Sequence, residues 1–337
     1  MKKLFTLLTL LFISVTFAQQ RLIAVKGTVT DAIAYTLTEA IGLAQPGDKI
    51  YLPGGFYEHA PAINKKVHII GTGFQDGQNV MGRTTINGSL TLSNLANSST
   101  FEGLYLTEWF NQVAGASDDI TIKRCNMKGT YPVFGCNYTN SQFVNCVVRE
   151  WLHLGEGSGG TIGQNNNIKN CILTFGVYKT NSSNIENCLL ASVSHCTNSF
   201  IKKNVFYRND GAYDAFYRSS EMVLADNLFK FLNYPAYNLE STISSEYGTG
   251  LYSELSDLFV NVPITPFFSF NASHDYHLKP PFTTTPPNIG IYGIGSYIWK
   301  DGSLPIIPNI EQNSSYLDVQ TTPGEFKLKV KVVPQTH

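Results

Sequence analysis

Two stretches concentrate the side chains that do chemistry. The first is Arg149-Glu150-Trp151-Leu152-His153-Leu154-Gly155-Glu156-Gly157, with two carboxylates, an imidazole, a guanidinium and an indole on a glycine-rich run. The second is Tyr207-Arg208-Asn209-Asp210-Gly211-Ala212-Tyr213-Asp214, followed by Tyr217-Arg218. Glu/His pairs perform acid–base steps, and two carboxylates placed across a sugar are what glycoside hydrolysis needs. Indole and phenol rings stack on sugar faces. The catalytic candidates are therefore Glu150, His153, Glu156, Asp210 and Asp214, and the substrate-binding candidates are Trp151, Arg149, Arg208 and Tyr213. A plainer reading stands beside this one and is preferred for catalysis. Excursions from a repetitive scaffold are polar and aromatic anyway, and a lone His or Trp more often packs or caps.

The scaffold that positions these stretches is a repeat. Ile122-Lys123-Arg124-Cys125-Asn126-Met127, Phe143-Val144-Asn145-Cys146-Val147-Val148, Ile168-Lys169-Asn170-Cys171-Ile172-Leu173 and Ile185-Glu186-Asn187-Cys188-Leu189-Leu190 share one phrase. Two later copies, ending Asn204-Val205-Phe206 and Asn227-Leu228-Phe229, are read as keeping the Asn and losing the Cys. Successive Cys positions lie 21, 25 and 17 residues apart. That period is too short for a helical hairpin or a propeller blade and fits one coil of a parallel β-solenoid. Stacked copies put Cys125, Cys146, Cys171 and Cys188 about 4.8 Å apart on neighbouring strands, where buried Cys acts as a small hydrophobe. The Asn residues are expected to bond to neighbouring Asn side chains or turn backbone. Cys136 and Cys196 lie outside the phrase, so their pairing is open, and without a C-x-x-C pair a structural zinc site is not expected.

The row beside the ladder Asn reads Val144, Lys169, Glu186, Lys203 and Asp226. Such a mixture is a solvated face with cross-strand charge pairing. No three acidic residues recur on adjacent coils, so no metal site is assigned. The net charge is −1 with 15% charged residues, and no basic stripe invites nucleic acid. Aromatic residues make up 12%, and Asn, Ser, Thr and Gly fill the gaps, an all-β signature with many turns.

The start reads as an export leader over residues 1–19. Met1-Lys2-Lys3 is followed by an apolar run from Leu4 to Phe17 and by Ala18 before Gln19-Gln20. The run is shorter than the ~20 residues that span a bilayer, and no later stretch is longer, so a secreted or cell-envelope chain without a membrane span is expected. Thr36 or Thr38 caps a short helix whose apolar side is Leu37, Ala40, Ile41 and Ala44, placed to cover the first coil. Pro46-Gly47-Asp48 stops it and turns into a strand.

Thr38-Glu39-Ala40-Ile41 through Pro46-Gly47-Asp48, Tyr57-Glu58, Lys65-Lys66-Val67 and Ile70-Gly71-Thr72-Gly73 resemble the opening of right-handed parallel β-helix proteins of the pectin-lyase-like superfamily. The Asn phrases resemble that superfamily's asparagine ladders. Asp275-Tyr276-His277-Leu278-Lys279-Pro280 and Asn288-Ile289-Gly290-Ile291-Tyr292-Gly293 resemble the last coil of many secreted bacterial members, with Asp275 and His277 tying that coil down. The resemblance covers residues 25–295 and implies the fold more than an activity, because the superfamily holds lyases, hydrolases, esterases and epimerases. Its lyases commonly hold calcium with clustered acids, so calcium enters only with a lyase reading.

The expectation is thus an all-β chain: a right-handed parallel β-helix of roughly ten coils over residues 20–302, with residues 230–272 as irregular late coils. A β tail over 303–337 follows, with strands at Tyr316–Val319 and Glu325–Val333 around Thr322-Pro323-Gly324. Two functions are carried. One is an exported, non-catalytic protein presenting a solenoid face to a polysaccharide or cell-surface glycan, without a cofactor. The other is a polysaccharide lyase or glycoside hydrolase working on the outer face.

Overall fold

Ile50, Ile69, Phe101, Ile122, Phe143, Ile168, Ile185, Ile201 and Leu224 form one fully buried row, each at the middle of a paired triplet of one parallel ladder. Strands this short cannot stand alone. They persist because every strand hydrogen-bonds to the coil before and the coil after, while its central side chain joins a continuous core. In the computed structural model the result is a nearly all-β solenoid of about 8 turns, fewer than the roughly ten the sequence implies. The structure describes residues 22–29, 31–59, 61–75, 82–113, 115–133, 135–156, 160–207, 215–229, 242–247, 258–262, 268–280 and 289–292, residue 299, and short strands in the tail. The leader lies outside them.

Each central coil runs through three main ladders. The first joins Lys49–Tyr51, His68–Ile70, Thr100–Glu102, Thr121–Lys123, Gln142–Val144, Asn167–Lys169, Asn184–Glu186, Phe200–Lys202, Val223–Phe229 and Thr242–Tyr247. The second carries the apolar pairs of the phrase. Met127, Val148, Leu173, Leu190, Phe206 and Phe229 point into the solenoid, and Val147, Ile172, Leu189, Val205 and Leu228 point out. The third aligns Phe110, Thr130, Leu152, Val177 and Val193, all fully buried. A shorter ladder of Ala116–Asp118, Asn137–Thr139, Gly163–Gln164 and Thr180–Asn181 closes the coil.

Two left-handed residues bracket the first ladder in every central coil. Asp119, Asn140, Asn165, Ser182, Asn198 and Glu221 precede it, and Arg124, Asn145, Asn170, Asn187, Lys203 and Asp226 follow it, all with φ between 48° and 58°. Asn tolerates this conformation better than most residues, which explains its recurrence. The register corrects the alignment of the last two phrases: Ile185 pairs with Ile201 and Leu189 with Val205. Asn204 and Asn227 therefore stand in the column of Cys125, Cys146, Cys171 and Cys188, not in the column of Asn187. Likewise the outward row is Lys123, Val144, Lys169, Glu186, Lys202 and Ala225, while Lys203 and Asp226 sit in the turn. Along it, Glu186 lies 3.3 Å from both Lys169 and Lys202. Burial raises its carboxyl pKa, but Lys202 and Lys169 more than offset that and hold it below the usual range.

The column after the second turn resolves a hydrogen-bonding problem. The backbone N–H beside each left-handed residue leaves the sheet ladder, and a buried N–H without a partner is costly. Asn204 Oδ1 accepts from Cys188 N at 2.8 Å, Asn227 Oδ1 accepts from Asn204 N at 3.0 Å, and Asn204 Nδ2 and Asn227 Nδ2 donate to the carbonyls of Ile185 and Ile201. The thiols of Cys125, Cys146 and Cys171 aim at carbonyls one coil back, of Phe101, Ile122 and Phe143. A second column before the first ladder works alike. Ser141, Asn166, Ser183 and Ser199 accept the N–H of Ile120, Ser141, Asn166 and Ser183 in turn, at 3.0 to 3.2 Å.

Cys196 is a free thiol, so it is not disulfide-bonded to Cys136, and Cys125, Cys146, Cys171 and Cys188 are free as well. Burial pushes the thiols of Cys125, Cys146 and Cys171 far up and that of Cys196 up to about 12. Only a thiolate reacts readily. The native protein at pH 8 is therefore expected to leave these five thiols unmodified by a disulfide-exchange reagent, with all five released on unfolding in urea. Rapid labelling of the folded chain would contradict the buried column.

At the first coil, Ile23–Lys26 pairs antiparallel with Lys49–Tyr51 and with Asp31–Ala34, so an antiparallel hairpin takes the open edge of the first ladder. Helix α1 spans Leu37–Leu43. Thr36 is its cap, with Oγ1 accepting from Glu39 N at 3.1 Å, and Leu37, Ala40 and Ile41 join the core.

The largest departure from expectation concerns the C-terminal phrase. Phe259–Asn261 and Asp275–Leu278 pair antiparallel with each other. Leu258, Phe259, Phe268, Tyr276, Ile289 and Ile291 then cover the outward row of the second ladder instead of adding a last coil. Asn170 Nδ2 and Asn187 Nδ2 donate to the carbonyls of Ile291 and Gly290, and Gly290 N donates to Lys203 O, fixing the strap across the turns. Thus the first member of the apolar pair, as at Ile172, Leu189 and Val205, is buried by the strap and not by the coil. Within the expected late coils of 230–272, Thr242–Tyr247 forms a strand that pairs with the last copy of the phrase, Val223–Phe229. In the tail, Tyr316–Asp318 pairs antiparallel with Lys327–Lys329 and Asn309–Ile310 with Val332–Val333, while the Thr322–Gly324 turn lies outside the described residues.

Candidate functional site: an aromatic stripe on the third ladder

Alternation along the third ladder places Phe110, Thr130, Leu152 and Val177 inside, and so turns their neighbours Trp109, Tyr131, Trp151, His153 and Tyr178 outward. Their rings touch from coil to coil. Centroid distances are 5.9 Å for Trp109–Tyr131, 6.0 Å for Tyr131–His153, 4.9 Å for His153–Tyr178, 4.9 Å for Tyr178–His195 and 5.6 Å for His195–Tyr217. Trp151 lies beside this row, 5.9 Å from Tyr178 and 6.1 Å from Phe175. Tyr131 is 53% and Phe175 39% exposed, so the stripe is a surface and not a second core.

A glycine shapes it. A Cβ on residue 129 would stand 2.5 Å from the Trp109 ring and 2.4 Å from Trp151 O, so Gly129 lets the indole lie across the neighbouring coil. Lys128 Nζ sits 5.3 Å from that ring. Lys128 also joins Glu108, at 3.2 Å, to Glu150, at 3.8 Å, which gives a charge-paired column along the border of the stripe.

The sequence-derived candidates separate in the structure. Trp151 and His153 belong to a strand of the third ladder, not to a glycine-rich excursion, because Leu152 between them is fully buried. Arg149 turns aside: its Nη2 donates to the carbonyls of Leu106 and Thr107, and its guanidinium lies 5.0 Å from the Tyr105 ring. Glu156 Oε2 accepts from Gly135 N at 2.9 Å, and Lys179 Nζ donates to Glu156 O. Glu150 and Glu156 thus engage different parts of the scaffold. Arg208, Asp210, Tyr213 and Asp214 lie outside the described residues, but Tyr217, just beyond them, closes the stripe with Arg218 5.2 Å from its ring.

Sequence reasoning missed Trp109, Tyr131, Tyr178 and His195. The signal is present as aromatic residues flanking each third strand, but its distance from the phrase varies: Phe110 follows Leu106, Thr130 follows Met127 more closely, and Leu152 follows Val148. Without coordinates no fixed offset brings them into line.

Burial lowers the His153 pKa to about 4, and burial followed by the charges of Arg218 and Lys179 lowers that of His195. Both imidazoles are neutral at pH 7. The sign of the linkage follows: the unfolded chain binds a proton at His153 below about 6.5, the folded chain only near 4, so stability from this group falls as pH drops across that window. Thermal melts are expected to lose less between pH 7 and 4.5 for His153→Phe than for the parent chain. Equal losses would show that His153 is solvated.

Among the described residues no group of three or more His, Cys, Asp or Glu is arranged to hold a metal ion, and no helix is long and apolar enough to cross a membrane. The fold and stripe define a parallel β-solenoid with an aromatic outer face. Comparison with protein-family models, curated proteins and solved structures finds no match for this chain.

Proposed function

We propose that this chain is an exported, right-handed parallel β-helix of the pectin-lyase-like kind, whose aromatic stripe binds a polysaccharide or cell-surface glycan without transforming it. The observation that carries the reading is the unbroken row of rings from Trp109 to Tyr217, in which Tyr131 is exposed and the other rings are half-buried. Rings aligned along a rigid surface offer apolar faces for the C–H faces of pyranoses and lose little entropy on binding. The leader-like start supports export, and the phrases quoted above support the superfamily.

The test is direct binding to immobilised polysaccharides with Trp151→Ala as comparison. Removing one stacked indole is expected to weaken binding about tenfold, roughly 1.4 kcal/mol, with little change in melting temperature. Equal binding by both proteins would detach function from the stripe. New reducing ends or unsaturated products during incubation would replace this reading with the hydrolase or lyase one, and calcium dependence would belong to the latter.

A further inference from the structure

Resting on that binding reading, we infer that the stripe takes an uncharged, extended β-linked glycan lying parallel to the solenoid axis, with one pyranose per coil. Direction comes from the register. Tyr131, His153 and Tyr178 belong to successive strands that pair side by side, so a line through their rings crosses the strands and follows the axis. A glycan laid along one strand would meet only that coil's pair, such as Trp151 and His153. From Trp109 to Tyr217 the row spans six coils, and five steps of about 4.8 Å carry it roughly 24 Å. An extended β-1,4-linked pyranose chain advances by nearly one such step per ring, so successive sugars meet successive rings. Tyr131, His153 and Tyr178 are in register, while Trp109 stands two residues before that register and His195 one after it.

The charge class comes from how the border is wired. Lys128 is held between Glu108 and Glu150, and Lys179 Nζ is engaged by Glu156 O. Arg218 is the cation near the far end, beside the Tyr217 ring. Among the described residues the carboxylates of Glu108, Glu150 and Glu156 match in number the cations of Lys128, Lys179 and Arg218, so a polyanion gains no net attraction from them. His153 and His195 add neutral rings at pH 7. What the face offers throughout is apolar ring surface, which suits the C–H faces of neutral sugars.

Isothermal titration of the mature protein with cello-oligosaccharides of two to eight sugars, and with oligogalacturonates of the same lengths, tests this. The neutral series is expected to tighten by about a hundredfold from dimer to hexamer and then level off, with little dependence on salt, as each added ring contact contributes a few-fold. Oligogalacturonates are expected to bind at least about tenfold more weakly. A plateau already at the dimer or trimer would overturn the axial orientation. Tighter, salt-sensitive binding of the galacturonates would overturn the charge class, and both results would leave the binding function standing. No binding to any glycan would sink the binding function as well.

Discussion

Replacing Asn204 with Ala is expected to cost on the order of 3–5 kcal/mol of unfolding free energy. Asn204 is fully buried, its Oδ1 accepts from Cys188 N, and its Nδ2 donates to Ile185 O and Asn227 Oδ1. Truncation orphans the Cys188 N–H and the Ile185 carbonyl in a dry interior, each worth about 1–3 kcal/mol, and leaves a small void besides. The structure also names the rescue. The equivalent position in the four preceding coils is a Cys whose thiol aims at backbone carbonyls, so Asn204→Cys is expected to recover a large part of the loss. Urea unfolding monitored by circular dichroism measures both. An Ala variant within 1 kcal/mol of the parent would mean the column is not needed.

Leu189→Asp is expected to detach the C-terminal strap. Leu189 is 1% exposed on the outward face of the second ladder, and with Phe259, Tyr276, Ile289 and Ile291 it lines a cavity of about 210 Å³ beneath the strap. A carboxylate there is desolvated without a designed partner, at a cost of several kcal/mol. The strap adds no strand to the solenoid, so the cheapest relief is to lift it and hydrate the carboxylate. Limited proteolysis should then cut between residues 258 and 292 while strand signal in the far ultraviolet persists. Leu189→Ala should stay protected at a cost of about 2–3 kcal/mol. Unchanged protease resistance in the Asp variant would show that the strap does not depend on this row.

The phrase from Ile122 to Phe229 made the solenoid legible because each copy spells a complete local instruction. It supplies an inward apolar residue, a left-handed turn that Asn accepts, and an apolar pair. What the phrase left ambiguous was its own alignment. Asn187 and Asn204 look equivalent as letters, yet one occupies the left-handed turn and the other the buried column one residue later. Only the strand register separates them. The same holds for the apolar pair, whose first member reads as core but is covered by Ile289 and Ile291 about a hundred residues further along the chain.

For the candidate site, sequence proximity misled in a specific way. Arg149, Glu150, Trp151, His153 and Glu156 are neighbours in the chain, but strand geometry sends them to different places. Arg149 reaches carbonyls of an earlier coil, Glu150 joins the charge column, Glu156 binds the Gly135 amide, and only Trp151 and His153 face the stripe. Their working neighbours, Tyr131 and Tyr178, lie one coil away on either side. By itself the sequence determined the repeat, the inward row and a threonine-capped first helix, with Thr36 and Thr38 both open as the cap, because these depend on residues within a few positions of one another. The tertiary structure decided which rings form the stripe, what covers the second ladder and which columns hold the turns together. The stripe and the columns are set by stacking of coils, a contact between residues about twenty apart whose spacing varies from coil to coil, and the cover by a strap about a hundred residues further along the chain.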